Sequence, residues 1–335
     1  SGSEQAATDA LASALGGFPH LEALRDGDAL VARTSLGRPE RVIVAGHVDT
    51  VPAAGNVPGR LDRELGELWG RGSVDMKSGV AVMAALAARL DRPTRDITWV
   101  FYDHEEVDAR LNGLGRVMAR HPDWIGGDFA VLAEPTSAGL EGGCNGSLRA
   151  LVVARGVAAH SARAWMGRNA IHAAAPVLDR LAAYRPATVE VDSLAYREGL
   201  NAVGIAGGIA GNVIPDHCAV TVNYRFAPDK SLADAEAHLR HVFDGFEVQV
   251  VDRSAPARPG LTAPPAAAFA AAVRGAGAGE PRAKLGWTDV ARFAEAGIPA
   301  VNCGPGDPGL AHADDERCPV DQIERVAAIF ADWLS

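Results

Sequence analysis

Four short apolar runs, each broken off by ionisable residues, constrain this chain more than any other feature. Arg41-Val42-Ile43-Val44-Ala45-Gly46 leads into His47-Val48-Asp49, and Ile97-Thr98-Trp99-Val100-Phe101-Tyr102 leads into Asp103-His104-Glu105-Glu106. Phe129-Ala130-Val131-Leu132-Ala133 leads into Glu134-Pro135, and Ile298-Pro299-Ala300-Val301-Asn302-Cys303 opens a Gly/Pro-rich loop that reaches His312. Runs of five or six residues, rich in β-branched and aromatic side chains and ending at a polar stop, predict buried strands. Residues 76–90, alanine-rich and opening just after Asp75, predict a helix between the first two. Strand–helix alternation of this kind implies a parallel or mixed sheet wrapped by helices.

The middle of the chain reads differently. Residues 148–154 and 204–209 predict strands, 219–226 alternates, and 169–183 and 232–243 are amphipathic helices. Pro256, Pro259, Pro264 and Pro265 mark a linker. The expected architecture is α/β: a discontinuous catalytic domain (1–148 and 258–335) with a mixed, largely parallel sheet flanked by helices, plus an inserted smaller α+β domain (149–257). Ser1-Gly2-Ser3 reads either as a natural Ser-Gly turn or as a remnant of cloning.

Charge narrows the partners. With 32 Lys+Arg against 42 Asp+Glu the formal charge is −10, and no basic stripe interrupts it, which argues against nucleic acid. A local arginine pocket for a small anion is compatible with such an exterior. No apolar stretch approaches the ~18 residues of a membrane span, and no basic-then-apolar signal opens the chain. Cys144, Cys218, Cys303 and Cys318 are scattered without a C-x-x-C pair, so reduced thiols and the cytoplasm are expected.

The strand ends carry the chemistry. His47 and Asp49, Glu105 and Glu106, Glu134 and, after a loop, His312 all fall where open α/β sheets bind ligands. Asp75 joins them from Gly70-Arg71-Gly72-Ser73-Val74-Asp75, ahead of a helix. Singly each has a commonplace reading: a surface His, a solvated Glu pair, a turn before Pro135, a helix N-cap at Asp75. Lys77-Ser78 is no phosphate loop, because Met76 stands where that loop needs Gly. Together, two imidazoles and several carboxylates at one spot would repel without a cation, and the mixed donor set suits zinc better than calcium or magnesium.

At this point the chain resembles the co-catalytic dinuclear zinc amidohydrolases, a family of desuccinylases, deacetylases, aminoacylases and carboxypeptidases. The matching stretches are Gly46–Pro52, Gly70–Gly79, Glu105-Glu106, Ala133-Glu134-Pro135, Gly156–Ser161, Gly211–Pro215 and His312. Residues 201–226, 287–293 and 304–307 are most similar to the desuccinylase branch of actinobacteria. The resemblance implies that His47 and Glu134 hold one Zn²⁺, Glu106 and His312 the other, and that Asp75 bridges both, with Co²⁺ able to substitute. It implies Asp49 orienting the His47 ring, Glu105 as general base, and an inserted domain that serves as lid and dimer contact. His160 would act across a homodimer, donating to the oxyanion in the partner's site. The implied substrate is a small anionic N-acyl amino acid, N-succinyl-diaminopimelate first, gripped by Arg163, Asn212, Arg225, Thr288 and Arg292. Cys144-Asn145, Arg163 and Asp307-Pro308-Gly309 depart from the proteobacterial desuccinylases, which leaves another N-acyl-amino-acid deacylase, such as an acetylornithine deacetylase, as the rival. A metal-free binding dimer is the rival of a different class, and the five filled ligand positions disfavour it.

Overall fold

The computed structural model describes residues 4–335; Ser1-Gly2-Ser3 lies outside them. The chain forms two compact units. One comprises the residues up to Gly143 with Pro259–Arg282 and Asp289–Ser335; the other comprises Cys144–Arg258 and Ala283–Thr288.

The first unit is built on an eight-stranded sheet. In chain order its strands are β1 (Glu22–Asp26), β2 (Ala29–Arg33), β3 (Arg41–His47), β4 (Asp96–Tyr102), β5 (Phe129–Leu132), β6 (Glu141–Gly142), β7 (Arg282–Ala283) and β8 (Ala300–Asn302). In space they run β1-β2-β4-β3-β5-β8-β6-β7. The four runs recognised in the sequence are the four central strands, and they are mutually parallel. β1 pairs antiparallel with β2, β2 with β4, and β6 with β8. Every residue of β4 and β5 is buried, as expected of parallel strands covered on both faces. Trp99, Phe101 and Phe129 meet helix Lys77–Arg89 through Met83 and Leu86, and Phe269, Phe330 and Trp333 from later helices complete the cluster.

The second unit carries a four-stranded antiparallel sheet in the order Gly199–Gly207, His217–Phe226, Gly146–Arg155, Glu247–Ser254. Its core joins Leu148, Val152, Tyr224 and Phe226 to Leu239 and Phe243. Helix Leu232–Val242 starts at a reciprocal Ser231–Asp234 capping box. The single helix expected over 169–183 is two, Ala170–Ala173 and Ala175–Ala183. Pro176 explains the break: it has no N–H to continue the first helix and is preorganised to start the second. Among the described residues no helix is long and apolar enough to cross a membrane, and all four cysteines are buried and free.

One close approach ties the helix after Asp75 to the sheet. A Cβ added at Gly79 would lie 2.3 Å from the Ala133 carbonyl oxygen, at the end of the strand that delivers Glu134. Gly79→Ala should therefore force the helix away from β5 and cost about 1–3 kcal/mol. The denaturant midpoint checks this; an unchanged midpoint would mean that the contact relaxes freely.

Candidate metal centre

The strand ends contribute the side chains, and the sheet brings those ends side by side. His47 is the last residue of β3; Glu105 and Glu106 follow β4; Glu134 follows β5. His312 arrives on the loop after β8, in a left-handed conformation (φ 66°) that is uncommon for a non-glycine residue and costs energy. Asp75 comes from the loop before helix Lys77–Arg89.

Asp75 lies at the centre. Its Oδ1 is 3.0 Å from His47 Nε2, and its Oδ2 is 3.4 Å from His312 Nε2. Around the first imidazole, Glu134 Oε1 is 3.9 Å from the same Nε2; around the second, Glu106 Oε1 is 2.9 Å away. Two donor groups result, His47–Asp75–Glu134 and Asp75–Glu106–His312, and in each all donor atoms lie within 4.8 Å of one another. Zinc at ~2.0–2.1 Å from each ligand in a tetrahedron requires donors about 3.3 Å apart, which both groups approach. The donor chemistry therefore fits a pair of divalent ions sharing Asp75. His47, Glu105 and Glu106 form a third such group, so Glu105 faces the same space.

Asp49 does more than orient a ring. His47 Nδ1 lies 3.1 Å from the Asp49 carbonyl and 3.4 Å from Oδ1. The same carboxylate accepts from the backbone N–H groups of Glu105 (3.0 Å) and Glu106 (3.1 Å). One buried side chain thus fixes an imidazole on β3 and both glutamates after β4. Arg116 holds the root of that loop, donating to both oxygens of Asp103 at 2.6 and 3.2 Å.

Crowding shifts the titrations. Burial works against the His47 imidazolium, yet hydrogen bonds to Asp49 and Asp75 outweigh it and carry its pKa well above the ordinary value. Hydrogen bonds to Asp75 and Glu106 raise His312 to about 10. Burial opposes ionisation of Asp75, but its bonds to the two imidazoles hold it below the usual carboxylate range. Burial lifts Glu105 well above its ordinary value; the charges of Glu134, Asp289 and Glu106 add to this and that of His47 subtracts.

The remaining expected residues lie elsewhere. In the second unit His160 is exposed; its Nδ1 accepts from the Ala162 N–H, and the short strand that it ends pairs with Val213-Ile214. Exposed Arg163 sits on the turn that follows, and the Asn212 carbonyl accepts from the Ser161 N–H. Arg225 donates to Asn223 Oδ1 at 3.0 Å, and Thr288 is buried with its carbonyl near Cys144 Sγ. Arg292 belongs to the first unit, where it donates to Asp289 Oδ1 (2.6 Å) and to the Ala109 carbonyl (3.2 Å). Sequence reasoning missed two buried carboxylates. Asp289 is clasped by Asn112 and Arg292, and Glu316 lies in an acidic run, Asp314-Asp315-Glu316, that reads as solvated surface.

Residues 43–335 match the sequence pattern of peptidase family M20/M25/M40. A Mycobacterium tuberculosis protein named as a candidate succinyl-diaminopimelate desuccinylase is 55% identical over 315 residues, 93% of this chain and 87% of that one. The succinyl-diaminopimelate desuccinylase of Corynebacterium glutamicum is 46% identical over an alignment of 345 residues, 100% of this chain and 92% of that one. The crystal structure of a tripeptidase from Staphylococcus aureus superposes with a TM-score of 0.74 at 18% identity, covering 98% of this chain and 91% of its own, and shares the fold.

His312, its pKa held at about 10, carries a proton at neutral pH in the metal-free protein, and the His47 pKa is shifted in the same direction. An ion held by His312 must displace that proton, so loading at pH 7 should release at least ~1 proton, and apparent affinity should rise with pH until His312 titrates at about 10. Calorimetry in buffers of different ionisation enthalpy measures the release. Uptake without protons would mean that the ions bind elsewhere.

Proposed function

The chain belongs to peptidase family M20/M25/M40, and from that premise we propose that it hydrolyses the amide of N-succinyl-LL-2,6-diaminopimelate to succinate and LL-2,6-diaminopimelate, a step toward lysine. The observation that carries the reading is Asp75, a single carboxylate with one oxygen toward each imidazole. The identity to two desuccinylases along nearly the whole chain supports the substrate.

In this reading His47 and Glu134 hold one ion, Glu106 and His312 the second, and Asp75 both; zinc is the proposed metal, with cobalt able to replace it. When bound, such a pair polarises the scissile carbonyl and lowers the pKa of an attacking water toward ~7. Glu105 takes that water's proton and passes it to the departing amine. A pKa raised above the ordinary carboxylate value suits the double task, since it helps the same group to act later as the acid. Asp49 keeps Glu105 and Glu106 in register by holding their backbone amides.

His160 is proposed to stabilise the oxyanion in the site of a partner subunit. A dimer is supported by the outer strand Gly199–Gly207, whose Val203 and Ile205 are more than half exposed. Trp165 (81% exposed) and Ile209 (89%) stand nearby in sequence to His160 and Asn212, an apolar surface that asks for a cover. Arg163, Asn212, Arg225 and Thr288 are proposed to bind the substrate's carboxylates and backbone. Arg292, the fifth of that set, would have to exchange its bonds to Asp289 and Ala109 for a substrate oxygen. That competition favours testing the rival deacetylase reading directly. The cytoplasm is the proposed compartment.

The deciding assay compares kcat/KM for succinyl-diaminopimelate with that for acetylornithine; preference for acetylornithine would overturn the assignment. Glu105→Ala should retain both ions and lose ~10²–10⁴ in kcat; undiminished turnover removes Glu105 from its role. His160→Ala should bind metal normally and lose ~10²–10³ in kcat. Mixed with Glu105→Ala under subunit exchange, it should recover about a quarter of wild-type activity, since half of the dimers are hybrids with one intact site. No recovery after verified exchange contradicts a site shared between subunits.

A further inference from the structure

Glu316 is buried to 1% exposure four residues beyond His312, and its carboxylate is hydrogen-bonded to the loop that delivers Asp75. Its Oε1 accepts from two successive backbone amides, Val74 (2.9 Å) and Asp75 itself (3.1 Å). Its Oε2 accepts from Arg71 Nη1 at 2.9 Å, and its carbonyl accepts from the Gly70 N–H at 3.0 Å. Arg71, its side chain 5% exposed, also donates to the Ala313 carbonyl at 3.2 Å. The 70–75 and 312–316 segments are therefore joined at residues next to Asp75 on one side and His312 on the other.

We infer that Glu316 is a positioning residue for the dinuclear centre: its carboxylate fixes the backbone from which Asp75 reaches both imidazoles. The chemistry asks for a carboxylate. Two amide N–H groups converge on one oxygen while a guanidinium takes the other, a set of donors that an acceptor-only group satisfies and no apolar side chain does. Without it, two buried amides and the Arg71 charge lose their partner together, and the Asp75 backbone is free to drift from the position that suits both donor groups. Partners that orient metal ligands in this way typically contribute 10–100-fold to affinity. The inference rests on the two-ion reading above.

The test measures Zn²⁺ and Co²⁺ binding by calorimetry, with the visible spectrum of the Co²⁺ protein as a second readout, on wild type, Glu316→Ala, Glu316→Asp and Glu316→Gln, each checked for folding by circular dichroism. Glu316→Gln keeps an oxygen for the Val74 and Asp75 amides but abandons Arg71. Glu316→Asp keeps the charge but withdraws it by one methylene. The expected result is 10–100-fold weaker uptake of at least one ion, with an altered Co²⁺ spectrum, in Glu316→Ala and Glu316→Asp, and a smaller loss in Glu316→Gln. Glu316→Asp carries the comparison if the alanine variant does not fold. Wild-type affinity in the alanine or aspartate variant, or a glutamine variant that loses as much as they do, overturns the inference. Wild-type protein that takes up no ions overturns the two-ion reading itself, so the two failures are told apart.

Discussion

Everything at this site turns on the mutual repulsion of clustered carboxylates and its relief. Asp75, Glu105, Glu106 and Glu134 crowd round two imidazoles, with Asp49 behind. In the metal-free protein that charge raises the pKa of both imidazoles, His312 to about 10, while burial and the neighbouring carboxylates raise that of Glu105. In the proposed reading, two divalent cations would relieve the same repulsion and displace the His312 proton. Metal binding, proton release and the raised pKa of Glu105 would then share one electrostatic cause.

The fold makes that crowding possible because its cost is met elsewhere. The central strands are buried on both faces and anchored by Trp99, Phe101 and Phe129, so their ends are fixed before any polar group is placed. Polar residues then grip backbone as well as one another: Asp49 takes the amides of Glu105 and Glu106, and Glu316 takes those of Val74 and Asp75. A side chain that holds main-chain amides fixes where a neighbouring side chain begins, which is the precision a metal centre requires.

Much of this was legible in the sequence, and for a definite reason. Continuous apolar runs mark parallel strands because both faces are covered, and β3, β4, β5 and β8 all emerged from that signal. Polar residues at the ends of such runs gather in space because parallel strands end on the same side. Less was visible where the structure depends on partners distant in sequence. β1 and β2 carry no comparable run, and the helix break at Pro176 was hidden inside an amphipathic pattern. Glu316 lies in an acidic stretch, and nothing local reveals that residues some 240 positions earlier supply its partners. Arg292 was named from the family resemblance, and its bonds to Asp289, one helical turn back, and to the distant Ala109 carbonyl were not visible in the sequence.

The centre itself is most directly tested by anomalous diffraction at the zinc absorption edge from crystals of metal-loaded protein. The account predicts two peaks ~3.5–4 Å apart, one beside His47 and Glu134, the other beside Glu106 and His312, with Asp75 reaching both. A single peak, or two that do not share Asp75, would contradict it.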